Sequence, residues 1–293
     1  MKKYKWIYLI LIPLIVMIGF LLTTNQIQDQ PESDPVIGPI VTEPSNDEEE
    51  KTKDDEKQND EGEKKGKKDD KSEEVTEAVI EDIHIVGLGD SLTKGSGDKT
   101  KGGYIHPVSQ YIQENSEDPV SMKNFGIHGL PSEKLVKKVD KENVQEHIKS
   151  ADHVFITIGG NDILNIIEYN FFSLNMDLFE TGKERYRKNL FVIVQTIRTL
   201  NPDANIYLIG LFNPFHNFFQ DIKEIDGVIG EWNDTAEMVA EINEKTYYIP
   251  IDDLFTDEDS DALFSNDKLH PNQKGYSKMA NRIQDYVQLP EED

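Results

Sequence analysis

From Ile83 onward, short apolar runs alternate with longer amphipathic stretches, and this alternation leaves few folds open. Runs at Ile83–Leu88, Val120–Phe125, Val154–Ile158, Asn205–Leu211 and Thr246–Ile251 end at turn signals and are short, as buried strands are. Between them, apolar residues recur at helical spacing. They predict helices at about 104–114, across 130–148, at 183–200, across 222–244 with breaks at Gly227 and Gly230, and at 271–287. Strands alternating with helices predict an α/β fold, a three-layer αβα sandwich around a five-stranded parallel sheet. Ligands bind such sheets beyond the carboxyl ends of the strands. Polar clusters stand at those points: Asp90-Ser91 after the first run, Gly126 to Gly129 after the second, and Gly159 to Asp162 after the third.

Two segments precede this region. Residues 1–24 carry Lys2, Lys3 and Lys5 ahead of an uninterrupted apolar run, Trp6–Leu22. That run reaches the lower end of what spans a bilayer as a helix, roughly 17 residues. It is longer than the usual apolar core of a cleaved signal, and no small-residue cleavage site follows it. An uncleaved signal anchor is expected; cleavage would instead release the protein. The basic flank keeps the N-terminus in the cytoplasm, which puts the rest of the chain outside. Residues 25–78 hold 19 acidic and 8 basic residues and almost no aromatics. Such a composition buries too little apolar surface to offset chain entropy, so a disordered, extended linker is expected. Residues 79–293 form the third domain, large enough for one core.

Charge and cysteine content remove several function classes. The 56 acidic residues outnumber 31 basic ones, for a net charge of −25. Nucleic-acid binding needs clustered Lys and Arg, so no nucleic-acid partner is expected. With no cysteine, disulfides, thiolate metal sites and a cysteine nucleophile are excluded. The acidic clusters at 252–253 and 257–259 lack the twelve-residue calcium-loop pattern and read as solvated loops. The glycine-rich turn after the first run lacks the phosphate-loop spacing, and Asp90 would repel a phosphate there.

What remains is chemistry centred on Ser91. A serine at a strand-to-helix turn has an exposed hydroxyl and a free backbone N–H, which suits a nucleophile; it equally suits a helix N-cap. A nucleophile needs a base. Of seven histidines, His84, His106, His147 and His153 read as surface or core residues, and His128 and His216 as candidate substrate contacts. His270 differs, because it sits in Asp267-Lys268-Leu269-His270-Pro271 just before the last helix. Pro271 holds His270 extended, and Asp267 can turn back to accept from one ring nitrogen. A helix-entry histidine with a capping aspartate is the alternative.

Four blocks taken together decide between these readings. Gly89-Asp90-Ser91-Leu92, Asn124-Phe125-Gly126-Ile127-His128-Gly129, Gly159-Gly160-Asn161-Asp162 and Asp267-Lys268-Leu269-His270-Pro271 occur in order across about 180 residues. In this the chain resembles the SGNH or GDSL-type lipase and esterase superfamily, and within it the membrane-anchored extracytoplasmic members of Bacillus-type bacteria. The resemblance covers about residues 83–287. It implies a flavodoxin-like sandwich and a serine esterase or acylhydrolase that cleaves carboxylic esters through an acyl-serine intermediate. Ser91 would be the nucleophile, His270 the general base and Asp267 its orienter. The oxyanion hole would be the backbone N–H groups of Ser91 and Gly129 with the side-chain amide of Asn161. Asp162 would brace its loop rather than react.

The resemblance calls for no metal and no organic cofactor. The expected partners are an ester-bearing small molecule, lipid or surface polymer, and the membrane through residues 1–24, with a monomeric chain. A deacetylase of cell-wall or surface carbohydrate esters is the alternative within the same chemistry. A catalytically inactive flavodoxin-like binding module is the alternative of another class. Phe171, Phe172, Phe179, Phe212, Phe215, Phe218 and Phe219 lie after the third and fourth strands, where they would wall an acyl pocket or pack the core.

Overall fold

The computed structural model describes residues 82–100, 102–170, 172–214, 216, 223–256 and 260–289. The expected anchor at 1–24 and linker at 25–78 lie outside them. Among the described residues, no helix is long and apolar enough to cross a membrane.

Five strands form one parallel sheet in the order β2-β1-β3-β4-β5: β1 (Ile83–Gly89), β2 (Val120–Asn124), β3 (His153–Thr157), β4 (Asn205–Ile209) and β5 (Thr246–Ile249). The strands alternate faces with a period of two. Val86, Leu88, Val154, Ile156, Ile206 and Leu208 join one buried cluster. Ile83, Ile85, Phe155, Tyr207 and Ile209 join the other. Both faces of the sheet are therefore apolar and both are covered by helices, as a parallel sheet requires.

The first cluster is capped by α3 (Ser132–Val139), α4 (Glu142–Lys149), α5 (Gly160–Tyr169), α6 (Met176–Leu200) and α7 (Lys223–Glu241). The second is capped by α2 (Ile105–Glu114), α8 (Gln273–Gln284) and the 3-10 turn Asp252–Phe255. A single helical turn, α1 (Ser91–Lys94), follows β1 directly. The order of the sheet reverses between β1 and β3, so a crevice opens where the chains leaving them diverge.

Several elements depart from expectation. The helix expected across 130–148 is two helices, because Asp140 ends α3 and Lys141 is extended, with ψ 132°. The segment after Asn161 is the helix α5, which buries Ile163, Ile166 and Ile167 on one side. The helix expected from 183 starts at Met176, where the Asn175 side chain accepts from the Leu178 N–H as an N-cap. α7 runs through Gly227 and Gly230 without a break.

Candidate active site

The site is built at the carboxyl ends of β1, β2 and β3 and at the entry to α8. β1 ends at Gly89, whose φ is 129° and whose Cβ position would lie 2.0 Å from the Thr157 carbonyl oxygen. Only glycine fits this approach of β1 to β3, and it releases the chain into α1. Asp90 caps α1, its Oδ1 accepting from the Leu92 N–H at 3.0 Å and from Thr157 Oγ1 at 2.8 Å. Ser91 is the first residue of α1, and its N–H has no partner among the described residues. Thr157 and Thr93 share a hydrogen bond beneath it, and Thr93 reaches the Tyr104 hydroxyl. This buried polar layer is the floor on which Ser91 stands. Burial pushes the Asp90 carboxyl up to about 6, against the lowering bonds from Thr157 and Leu92.

His270 comes from the other end of the chain. Ser265, Asp267 and His270 are drawn into one tight turn, with Lys268 in the left-handed region at φ 56°. Asp267 Oδ1 accepts from Ser265 Oγ, the Leu269 N–H and the His270 N–H at 2.7, 2.9 and 2.9 Å. Its Oδ2 lies 2.7 Å from His270 Nδ1. Burial alone would raise the Asp267 carboxyl. The bond to His270, the charge of its ring and the two backbone N–H groups outweigh this and hold it well below the usual carboxylate range. An ionised carboxylate only accepts, so Nδ1 carries the proton. The opposite nitrogen, Nε2, then accepts from Ser91 Oγ at 2.8 Å. Ser91 and His270 are both buried. The structure thus brings Ser91, His270 and Asp267 into one hydrogen-bonded line, although 179 positions separate Ser91 from His270.

The remaining expected residues flank this line. The loop after β2 is held to β1 by the Ile127 N–H, which donates to the Gly89 carbonyl at 3.0 Å. Gly129 in that loop has φ 72°, and its N–H has no partner among the described residues. Asn161 opens α5, and its amide Nδ2 donates to the Leu130 carbonyl at 3.3 Å, so it lies against the Gly129 loop. The three expected donors thus lie at the carboxyl ends of β1, β2 and β3: the Ser91 N–H after the first, the Gly129 N–H after the second and the Asn161 amide after the third. Such donors favour charge that develops on a substrate oxygen.

Asp162, expected to brace its loop, is tied to Ser132 at the start of α3. Its oxygens accept from Ser132 Oγ and the Ser132 N–H at 2.6 and 2.9 Å. Burial raises its carboxyl above the ordinary value, even with those bonds lowering it.

Of the candidate contacts, His128 is present: its ring lies 5.1 Å from that of His270, and its Nδ1 is 3.1 Å from Ser96 Oγ. His216 is engaged elsewhere, 3.7 Å from Asp226. The phenylalanine wall is not formed by the described members. Phe179 and Phe212 are core residues, Phe212 stacking on Phe255 at 4.1 Å, and Phe172 is exposed. Phe171, Phe215, Phe218 and Phe219 lie outside the described residues. Among those residues, no three His, Asp or Glu side chains converge to hold a metal.

Sequence reasoning missed Thr93, Thr157, Ser132 and Ser265, and also Asn189, whose Nδ2 donates to Ser132 Oγ; each bonds to a residue of the four blocks or to another of this group. Ser265 could have been found from its spacing to Asp267; the others carry no local signal.

The chain is similar to known proteins. The model of the GDSL-like lipase/acylhydrolase family matches residues 88–278. The uncharacterized protein YpmR of Bacillus subtilis (strain 168) is 36% identical over 217 residues, 72% of this chain and 85% of that protein. Spore germination lipase LipC of Bacillus licheniformis is 26% identical over 204 residues, 67% of this chain and 92% of that protein. Among solved structures, the lipase Lip_vut3 from a goat rumen metagenome aligns with a TM-score of 0.62 at 23% identity, over 69% of this chain and 96% of that one.

Proposed function

Because the chain belongs to the GDSL-like lipase/acylhydrolase family and is a carboxylic ester hydrolase, we propose that Ser91 is its nucleophile in a two-step acyl transfer. The observation that carries this reading is the line of short bonds from Asp267 through His270 to Ser91, at 2.7 and 2.8 Å. His270 Nε2 removes the Ser91 Oγ proton as that oxygen attacks the ester carbonyl. Asp267 keeps the imidazole in the productive tautomer and offsets its positive charge. The carbonyl oxygen, now negative, is held by the N–H groups of Ser91 and Gly129 and by the Asn161 amide. His270 returns the proton to the departing alkoxide, which leaves as the alcohol. Water, deprotonated by His270, then cleaves the acyl-serine and releases the acid.

The substrate is a carboxylic ester of a lipid or another ester-bearing surface molecule, a reading supported by the likeness to a spore germination lipase. The domain acts outside the cytoplasm as a monomer, held at the membrane by residues 1–24. Lys2, Lys3 and Lys5 before an uninterrupted apolar run support that placement.

The test uses the full chain in detergent with p-nitrophenyl esters from acetyl to long acyl, beside Ser91→Ala. Turnover that disappears in the variant, with a fluorophosphonate captured at Ser91 in the wild type, is the expected result. Equal turnover in Ser91→Ala would overturn it. Susceptibility of the domain to external protease in intact cells, with the N-terminus protected, tests the placement.

A further inference from the structure

The helix α3 begins without a cap of its own. Pro131 stands at its N-cap position and has no side chain to offer the free N–H groups. The cap is supplied from another element, the Asp162 carboxylate at the start of α5. It takes the Ser132 N–H on one oxygen and Ser132 Oγ on the other, at 2.9 and 2.6 Å. A carboxylate is favoured at a helix N-terminus by the helix dipole. Ser132 is fully buried, and its oxygen also accepts from Asn189 Nδ2 of α6 at 2.9 Å. The pair is therefore fixed from three elements.

Its position gives it a use beyond capping. Asp162 directly follows Asn161, and Ser132 lies three residues after Gly129. Gly129 itself is exposed, and its Cβ position has nothing within 4 Å. No side-chain site on it is packed, so the direction of its N–H depends on where the loop is tied. The residue after it, Leu130, is buried in the core and donates its N–H to the Ile127 carbonyl at 3.3 Å; beyond that turn the loop is tied by the Asp162–Ser132 pair and by the bond from Asn161 to Leu130, also 3.3 Å long.

We propose that Asp162 is a positioning residue of the oxyanion hole: through Ser132 it fixes the Gly129 N–H and the Asn161 amide relative to each other. This rests on the reading of Ser91, Gly129 and Asn161 given under Proposed function. Donors that must meet a developing charge at hydrogen-bond distance act only in the transition state when preorganised. A displacement of about 1 Å can cost a factor of about a hundred. Asp162→Asn keeps the volume but removes the charge at the start of α3 and makes the Ser132 hydroxyl reverse its role from donor to acceptor. Its kcat falls by about ten- to a hundredfold while KM stays within about twofold. Ser132→Ala removes one of the two bonds and lowers kcat less. The double variant is no worse than Asp162→Asn, because both act through one contact.

The experiment measures kcat and KM on a p-nitrophenyl ester, together with the rate of covalent capture by a fluorophosphonate, for the full-length wild type, the three variants and Asn189→Ala. The expected result is a fall in kcat with a parallel slowing of capture, since the tetrahedral phosphorus adduct uses the same donors. Wild-type kcat and capture in folded Asp162→Asn would overturn the inference. So would a loss carried mainly by KM. Should Asp162→Asn fail to fold, Ser132→Ala and Asn189→Ala decide it by the same two readouts, and wild-type values in both would overturn it. Loss of activity in Ser91→Ala beside normal activity in these variants would defeat only this inference; activity in Ser91→Ala would defeat the reading on which it rests.

Discussion

Asp90 is a buried carboxylate that forms no ion pair among the described residues, and replacing it by asparagine isolates what that costs. Its pKa stands at about 6 in the fold against 3.8 for the free side chain, first because burial disfavours the ionised form. The folded value lies above the unfolded one, so the native state keeps the proton longer. The contribution of Asp90 to stability is full below about pH 3.8 and is lost as the pH rises through about 6. Two units at about 1.4 kcal/mol each make the loss about 3 kcal/mol at pH 7. Asp90→Asn keeps an Oδ1 acceptor for the Leu92 N–H and Thr157 Oγ1, the two bonds the carboxylate makes. It should therefore raise the unfolding free energy by up to about 3 kcal/mol at pH 7, and the gain should shrink to nearly nothing below about pH 4. Guanidinium chloride unfolding at pH 4, 5, 6 and 7, followed by the fluorescence of buried Trp232, measures both. A gap of the same size at pH 4 and pH 7, or no gap at pH 7, would refute the reasoning.

Four further outcomes are expected. Asp267→Asn keeps an acceptor for Leu269 and His270 but sets an amide against Nδ1, so kcat should fall by about 10⁴ with the melting temperature little changed. Asn161→Ala should lower kcat by about 10² to 10³, read in the same assay. His153 is buried, and burial lowers its pKa from 6.5 to about 4. The neutral ring is required by the fold, so its contribution is present above about pH 6.5 and lost as the pH falls toward 4. That is worth about 3 kcal/mol, and His153→Gln should flatten this part of the pH–stability curve in denaturant titrations. Gly227 sits inside α7 with nothing near its Cβ position, so Gly227→Ala should stabilise by about 0.5 to 1 kcal/mol in the same titrations.

The parallel sheet was legible because its strands are short apolar runs whose alternate residues feed two cores. The line from Asp267 to Ser91 was only partly legible: the three-residue spacing of Asp267 and His270 and the turn at Ser91 also fitted helix caps, and the resemblance carried by the four blocks decided. Local signals misled where a site residue imitates a turn. Gly159-Gly160-Asn161-Asp162 reads as a loop, yet it opens α5, because Ile163, Ile166 and Ile167 bury together on the sheet. Leu130 to Ile148 carries one helical periodicity, and its break at Asp140-Lys141 has no Gly or Pro to mark it. Gly227 and Gly230 carry the opposite lesson. Buried Val228, Ile229 and Trp232 hold α7 together across them. The phenylalanines after β3 and β4 show that composition near a site does not say which way a ring points.

The distance along the chain between Ser91 and its base has a consequence for how the protein comes into being. The serine follows the first strand and the histidine lies in the turn before the last helix, where Tyr276 of α8 donates its hydroxyl to the Ser96 carbonyl beside α1. A nascent chain carries the serine long before the ribosome has added the residue that can take its proton. At about 5 to 20 residues per second the gap lasts roughly ten to forty seconds. On the proposed mechanism, the polypeptide has throughout that interval a hydroxyl but no hydrolase. Cleavage anywhere ahead of Asp267 that detached the final segment would return it to the same silent state. On the proposed mechanism, hydrolytic activity is thus a report that synthesis has passed His270 and that the segments carrying Ser91 and His270 have found each other.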